Sequence, residues 1–175
     1  MKKEIHPKKD EVNYILGLFD KKDLSNLSLA LKDLIKNYPS SSTSWVFLGM
    51  FYNLINNIKE AKISLQKALE LDDKYAEANR LLADVSRKEG DINQAITYAK
   101  KAIKLNPTLD RNFDTLGTCY ASNNDYVNAQ RNFQSAIKHA NSYNLPIFYN
   151  NLGNAQRNMG NYSESIRSLK KAINL

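Results

Sequence analysis

Small residues return along this chain at a fixed step. Gly49 is followed by Ala83 and Gly117, Ala61 by Ala95 and Ala129, and Ala68 by Ala102 and Ala136, each 34 residues further on. A period in the thirties restricts the fold more than any composition does. Each unit is too short to bury a core alone, so it stacks on its neighbours and the chain becomes an array of helical pairs. The stretch Trp45-x-x-Leu48-Gly49-x-x-Tyr52, then Ala61-x-x-x-Leu65-x-x-Ala68, is the clearest copy. Phe113-x-x-Leu116-Gly117-x-x-Tyr120, then Ala129-x-x-x-Phe133-x-x-Ala136, restates it.

These residues resemble the tetratricopeptide repeat family over nearly the whole chain. The resemblance implies an all-α fold, a right-handed α-solenoid of tandem helix-turn-helix repeats. On this reading residues 1–7 are an N-terminal tail and 8–41 a degenerate capping repeat. Repeats follow at 42–75, 76–109, 110–145 (with a two-residue insertion) and 146–175, giving ten helices of about 13 residues, a length typical of packed helices. In the first repeat Val12, Ile15, Leu16 and Phe19 recur at helical spacing, and Leu24, Leu27, Leu31, Leu34 and Ile35 mark the second helix. The Gly place has become Ile15, as a terminal repeat with relaxed contacts allows.

The turn inside each pair has its own signature. Asn56, Gly90, Asn124 and Gly160 hold that place, and Gly or Asn is what a left-handed backbone demands. Small residues at the Gly49 and Ala61 places let the paired helices approach closely, and a larger side chain would overpack them. Ser40 to Ser44 offers hydroxyl caps for the helix that carries Trp45. Ile166, Leu169 and Ile173 on the last helix occupy places that face the following repeat in earlier copies.

Composition removes several function classes. A 42% hydrophobic fraction suits amphipathic helices, and no run approaches the roughly 20 apolar residues of a membrane span. The charged start, with no apolar segment of signal-peptide length, predicts a cytoplasmic chain. The single cysteine, Cys119, falls inside a predicted helix and reads as a packed thiol. The two histidines, His6 and His139, have no metal-ligand spacing to Cys or carboxylate. His139 suits the negative end of its helix. No Ser has a base in view, so catalysis, metal and cofactor are all expected to be absent. The net charge of +7 comes from Lys residues read as scattered over outer helix faces, such as Lys100-Lys101-Lys104 and Lys170-Lys171, without interleaved aromatics. Neither nucleic acid nor membrane is expected as a partner.

What remains is a surface. The stripe of each first helix opposite its packed side would line the inner curve of the array. It reads Val46, Met50 and Asn53 in one copy, then Glu77, Arg80, Asp84 and Arg87. The next copies give Arg111, Asp114 and Thr118, and Asn150, Asn154 and Arg157. Arg supplies fixed donors and Asn both donors and an acceptor, a set suited to an extended peptide. Arg80–Asp84 also fits an i,i+4 pair on one helix. One branch of the family grips chaperone C-terminal carboxylates with a Lys/Asn pair, an Asn and a Lys/Arg pair. In no register does this chain reproduce that set. In a second branch, ahead of glycosyl- and sulfotransferase domains, an inner Asn ladder recurs. Here only Asn151 matches a rung, with Phe47, Leu81 and Thr115 at the others. The expected function is non-catalytic protein–protein interaction, an adaptor or scaffold binding a protein or peptide segment in the groove. The alternatives are the recruiting segment of a longer transferase and a module that self-associates through its C-terminal helix.

Overall fold

The computed structural model describes residues 6–141 and 143–175, so most of the expected tail and Ser142 of the expected insertion lie outside it. Among the described residues there are ten helices and no strand. They are α1 (Lys9–Lys21), α2 (Leu24–Asn37), α3 (Ser42–Leu54), α4 (Ile58–Leu71) and α5 (Ala76–Glu89). Then come α6 (Ile92–Leu105), α7 (Asp110–Ser122), α8 (Tyr126–His139), α9 (Leu145–Asn158) and α10 (Tyr162–Ile173).

The start of each second helix has a local cause. Asp23, Asn57, Asp91 and Asp125, spaced by 34, are its N-caps. Each side chain accepts the N–H three residues on, from Asn26, Glu60, Gln94 and Asn128, at 3.0–3.4 Å. This satisfies a donor that the first helical turn leaves without a partner. Asn161 holds the same place in the last pair and makes no such bond. Ser41, at the start of α3, also makes no side-chain cap, and its buried hydroxyl has no partner.

The residue before each of these caps is left-handed. Asn56, Gly90, Asn124 and Gly160 have φ of 59°, 89°, 58° and 81°. Lys22 stands 34 residues before Asn56 and adopts the same conformation at φ 53°. The Gly-or-Asn rule therefore fails in the first repeat, where α1 ends on a lysine.

The glycines face their partner helices. A methyl group on Gly49 would lie 2.6 Å from Leu65 Cγ, on Gly117 2.6 Å from Phe133 Cε1, and on Gly153 2.7 Å from Leu169 Cγ. In the second copy the same two places are Ala83 and Ala99, both fully buried in one cluster. Three pairs set a glycine against a large side chain, and the second copy sets two small ones against each other, so no pair sets two large side chains face to face.

Contacts divide the chain into two units, up to Leu81 and Leu82–Leu175, the division falling within α5. In the first, α2 packs on α1 and α3, and α4 on α3. Its core joins Ile15, Leu18, Leu27, Leu31, Leu34, Tyr38, Phe47 and Phe51. Leu16 and Leu24, expected on the apolar stripes, are exposed, and Leu18 is buried instead. In the second unit α6 packs on α7, α7 on α8, α8 on α9 and α9 on α10. One cluster gathers Ala83, Ala95, Ala99, Leu116 and Cys119. Another gathers Ala129, Phe133, Leu152 and Ala155. Leu169 points inward at Gly153, so of the three residues expected to face outward only Ile166 and Ile173 are exposed.

Candidate interaction face

In the first unit the expected stripe is largely occupied. Val46 is buried and Met50 packs, half-buried, on the core below α3. The degenerate repeat ahead of them supplies that core. Asn53 is half-buried and partnered. Arg80 is clamped by Glu77 one turn earlier, with Nη2 to Oε1 at 2.6 Å and Nε to Oε2 at 3.0 Å. This two-point bond to a carboxylate fixes the guanidinium plane, and a ligand carboxylate would have to compete with it. Thr43 and Tyr75 share a hydrogen bond at 3.1 Å between their hydroxyl oxygens, and Trp45 Nε1 donates to Pro39 O at 2.8 Å.

In the second unit Asp84 and Arg87 are half-buried. Asp84 has a partner, while Arg87 Nε is buried and has none. Cys119 is fully buried, and burial pushes its thiol up to about 12. The charge of Asp84 adds to that rise and Arg87 opposes it. A thiol held protonated in this way is a packing group and a poor nucleophile.

Two side-chain bonds tie α7 to α9, one at its N-cap and one along the helix. Asn144 Nδ2 donates to Asp110 Oδ2 at 2.9 Å, both residues buried. Asn151 Nδ2 donates to Asp114 Oδ1 at 2.8 Å. Asp114, expected in the groove, is thus half-committed to holding its own scaffold, and so is Asn151, the one ladder match. Both pairs lie more than 30 residues apart in sequence, so only the fold brings them together. Asn112 reaches back to bond Ala102 O at 3.0 Å and Asn106 O at 2.9 Å, where α6 ends.

Five expected residues stay available. Arg111, Asn150 and Arg157 are exposed, Thr118 and Asn154 half-buried. None of their side chains has a partner among the described residues. They stand on α7 and α9, first helices that also touch each other directly. His139, expected only to complement its helix end, stacks on Phe113 with ring centres 5.0 Å apart and planes 6° apart. Among the described residues no group of three His, Cys, Asp or Glu could hold a metal. No helix among them is long and apolar enough to cross a membrane.

Paired helices with a glycine contact, a left-handed turn and a capped second helix, repeated at a constant step, define a class of helical-repeat proteins. A model of the cytochrome c-type biogenesis protein H TPR domain matches residues 17–142, and one of the tetratricopeptide repeat matches 147–175. The chain belongs to the tetratricopeptide repeat family, an α-solenoid class built of tandem helix-turn-helix repeats. It is 28% identical to anaphase-promoting complex subunit 6 of Arabidopsis thaliana over 151 residues, 85% of this chain. It spans 27% of the length of that relative. The solved structure of MamA aligns with a TM-score of 0.71 at 25% identity, covering 90% of this chain and 91% of that one. A thermophilic TPR protein of Thermus thermophilus aligns at 0.83 with 15% identity, covering 95% and 90%.

Proposed function

We propose that this chain is a non-catalytic protein–protein interaction module that holds an extended segment of a partner on the α7–α9 face. The reading is carried by the five polar side chains there that have no partner among the described residues. Asn150 and Asn154 can each both donate to and accept from a peptide backbone, and Thr118 adds a hydroxyl. Arg111 and Arg157, at the first turn of α7 and the last turn of α9, can each take a carboxylate. The Asp110–Asn144 and Asp114–Asn151 bonds pre-set the face, so binding orders little of the receptor. Membership of a multi-protein complex, as the name of the plant relative states for that protein, supports an assembly role. The repeat boundaries at 41/42, 75/76, 109/110 and 145/146 belong to the same proposal.

A peptide selected from a random display library on this protein supplies the test. The Asn154→Ala/Arg157→Ala variant should lose about tenfold or more in affinity for it, the expected loss when one or two such bonds go. Unchanged affinity would remove the α7–α9 face from the account.

A further inference from the structure

The second helices of this unit carry a charge pattern that the groove does not use. Together α6, α8 and α10 hold eight of the 25 basic residues and one of the 18 acidic residues, Glu164. That difference equals the net charge of +7, so the rest of the chain is balanced. The lysines themselves are spread along the chain, 13 of the 19 lying elsewhere, but the net positive charge is concentrated on these three helices.

Helix ends explain half of these residues. Lys104, Lys138, Lys170 and Lys171 lie in last turns, where a cation complements the helix dipole. Lys100, Lys101, Arg131 and Arg167 lie further up their helices and gain nothing from that effect. Counted from the equivalent starts Ile92, Tyr126 and Tyr162, all eight fall within an arc of roughly 100°, taking 3.6 residues per turn. All are exposed, and none is held in an ion pair among the described residues. Lys100 lies over the ring of Tyr120 at 5.9 Å and Lys171 over that of Tyr149 at 5.2 Å.

We propose that this arc of α6, α8 and α10 is a second docking surface, for an Asp/Glu-rich segment of a protein partner. Lysines outnumber arginines six to two in the arc, which suits diffuse attraction to carboxylates more than the two-point phosphate grip of Arg. The two rings beside the arc, Tyr120 and Tyr149, already lie under Lys100 and Lys171, so neither is an open face for a base to stack on. Of the large apolar side chains exposed on these three helices only Val127 falls inside the arc, too little to bury in a lipid surface. An excess of cations spread over three helices attracts a flexible polyanion without fixing its sequence.

The test is binding of a glutamate-rich peptide by the full chain, compared with single-stranded RNA of equal charge and with phosphatidylserine vesicles. The peptide should bind, and its affinity should fall about tenfold or more as salt is raised from low to physiological strength. Lys101→Glu/Arg131→Glu/Arg167→Glu, one reversal per helix, should abolish binding. The neutral triple variant Lys101→Gln/Arg131→Gln/Arg167→Gln should weaken it while keeping full helicity. Asn154→Ala/Arg157→Ala should leave it unchanged, which separates this surface from the α7–α9 face. Failure of the peptide to bind, tighter binding of RNA or vesicles, or indifference to both triple variants would overturn the proposal.

Discussion

Adding one methyl group to Gly117 should reveal how tightly the paired helices are fitted. On Gly117 it would stand 2.6, 2.7 and 3.1 Å from three atoms of the Phe133 ring, where ordinary contact begins at 3.4 Å. Phe133 is itself 2% exposed, so the ring has little room to yield. Overpacking of this kind costs about 1–3 kcal/mol. Replacing Gly by Ala within a helix gains about 1 kcal/mol in propensity, so Gly117→Ala should be neutral to destabilising by about 2 kcal/mol. Phe133→Ala alone should cost about 3–5 kcal/mol through the cavity it leaves. In that background the methyl group meets no ring, and Gly117→Ala should become stabilising by about 1 kcal/mol. The pair then reproduces Ala83 opposite Ala99, which the chain already contains. Urea titrations of the four proteins give the coupling energy, expected at about 1–3 kcal/mol in favour of the double variant. A Gly117→Ala effect that is equal in both backgrounds would refute the close-approach argument.

Three further outcomes follow from named contacts. Asp125→Ala should cost about 1 kcal/mol in a thermal or urea melt, as loss of an N-cap does. The hydrogen bonds from the side chain and backbone of Asn128 hold the Asp125 carboxyl below its ordinary value of 3.8. A depressed folded value means that the cap's stabilisation is complete above the unfolded value and is lost as pH falls through the folded one. Melts should thus show an acid loss below about pH 4, smaller in Asp125→Asn. Asn144→Ala should destabilise by about 1–3 kcal/mol, because it strips a partner from the buried Asp110 carboxylate. Cys119 should resist a thiol reagent in the native protein at mildly alkaline pH and react fully in denaturant, since burial holds the thiol near 12. Rapid native labelling would contradict that environment.

The repeat architecture was legible because its cause is local and periodic. The small residues at 49, 83, 117 and 153 and the left-handed turn residues recur wherever the same contact recurs. The cap ladder of Asp23, Asn57, Asp91 and Asp125 carries the same step and could have been read with them. Lys22 could not, since nothing in its chemistry favours a positive φ. Site residues were harder. Met50 sits at a groove position by helical count, yet the core of the preceding repeat covers it. The pairing of Asp114 with Asn151 spans 37 residues and depends on how two helices settle together. Arg80 has Glu77 within one turn, a pairing that the i,i+4 rule alone does not favour over Asp84.

Assigned amide spectra of the full chain, titrated with a display-selected peptide, test the central claim most directly. Shifts should concentrate at Thr118, Asn150 and Asn154, including the Asn side-chain amides, and at the backbone of Arg111 and Arg157. Shifts confined to α6, α8 and α10, with α7 and α9 unmoved, would contradict the account.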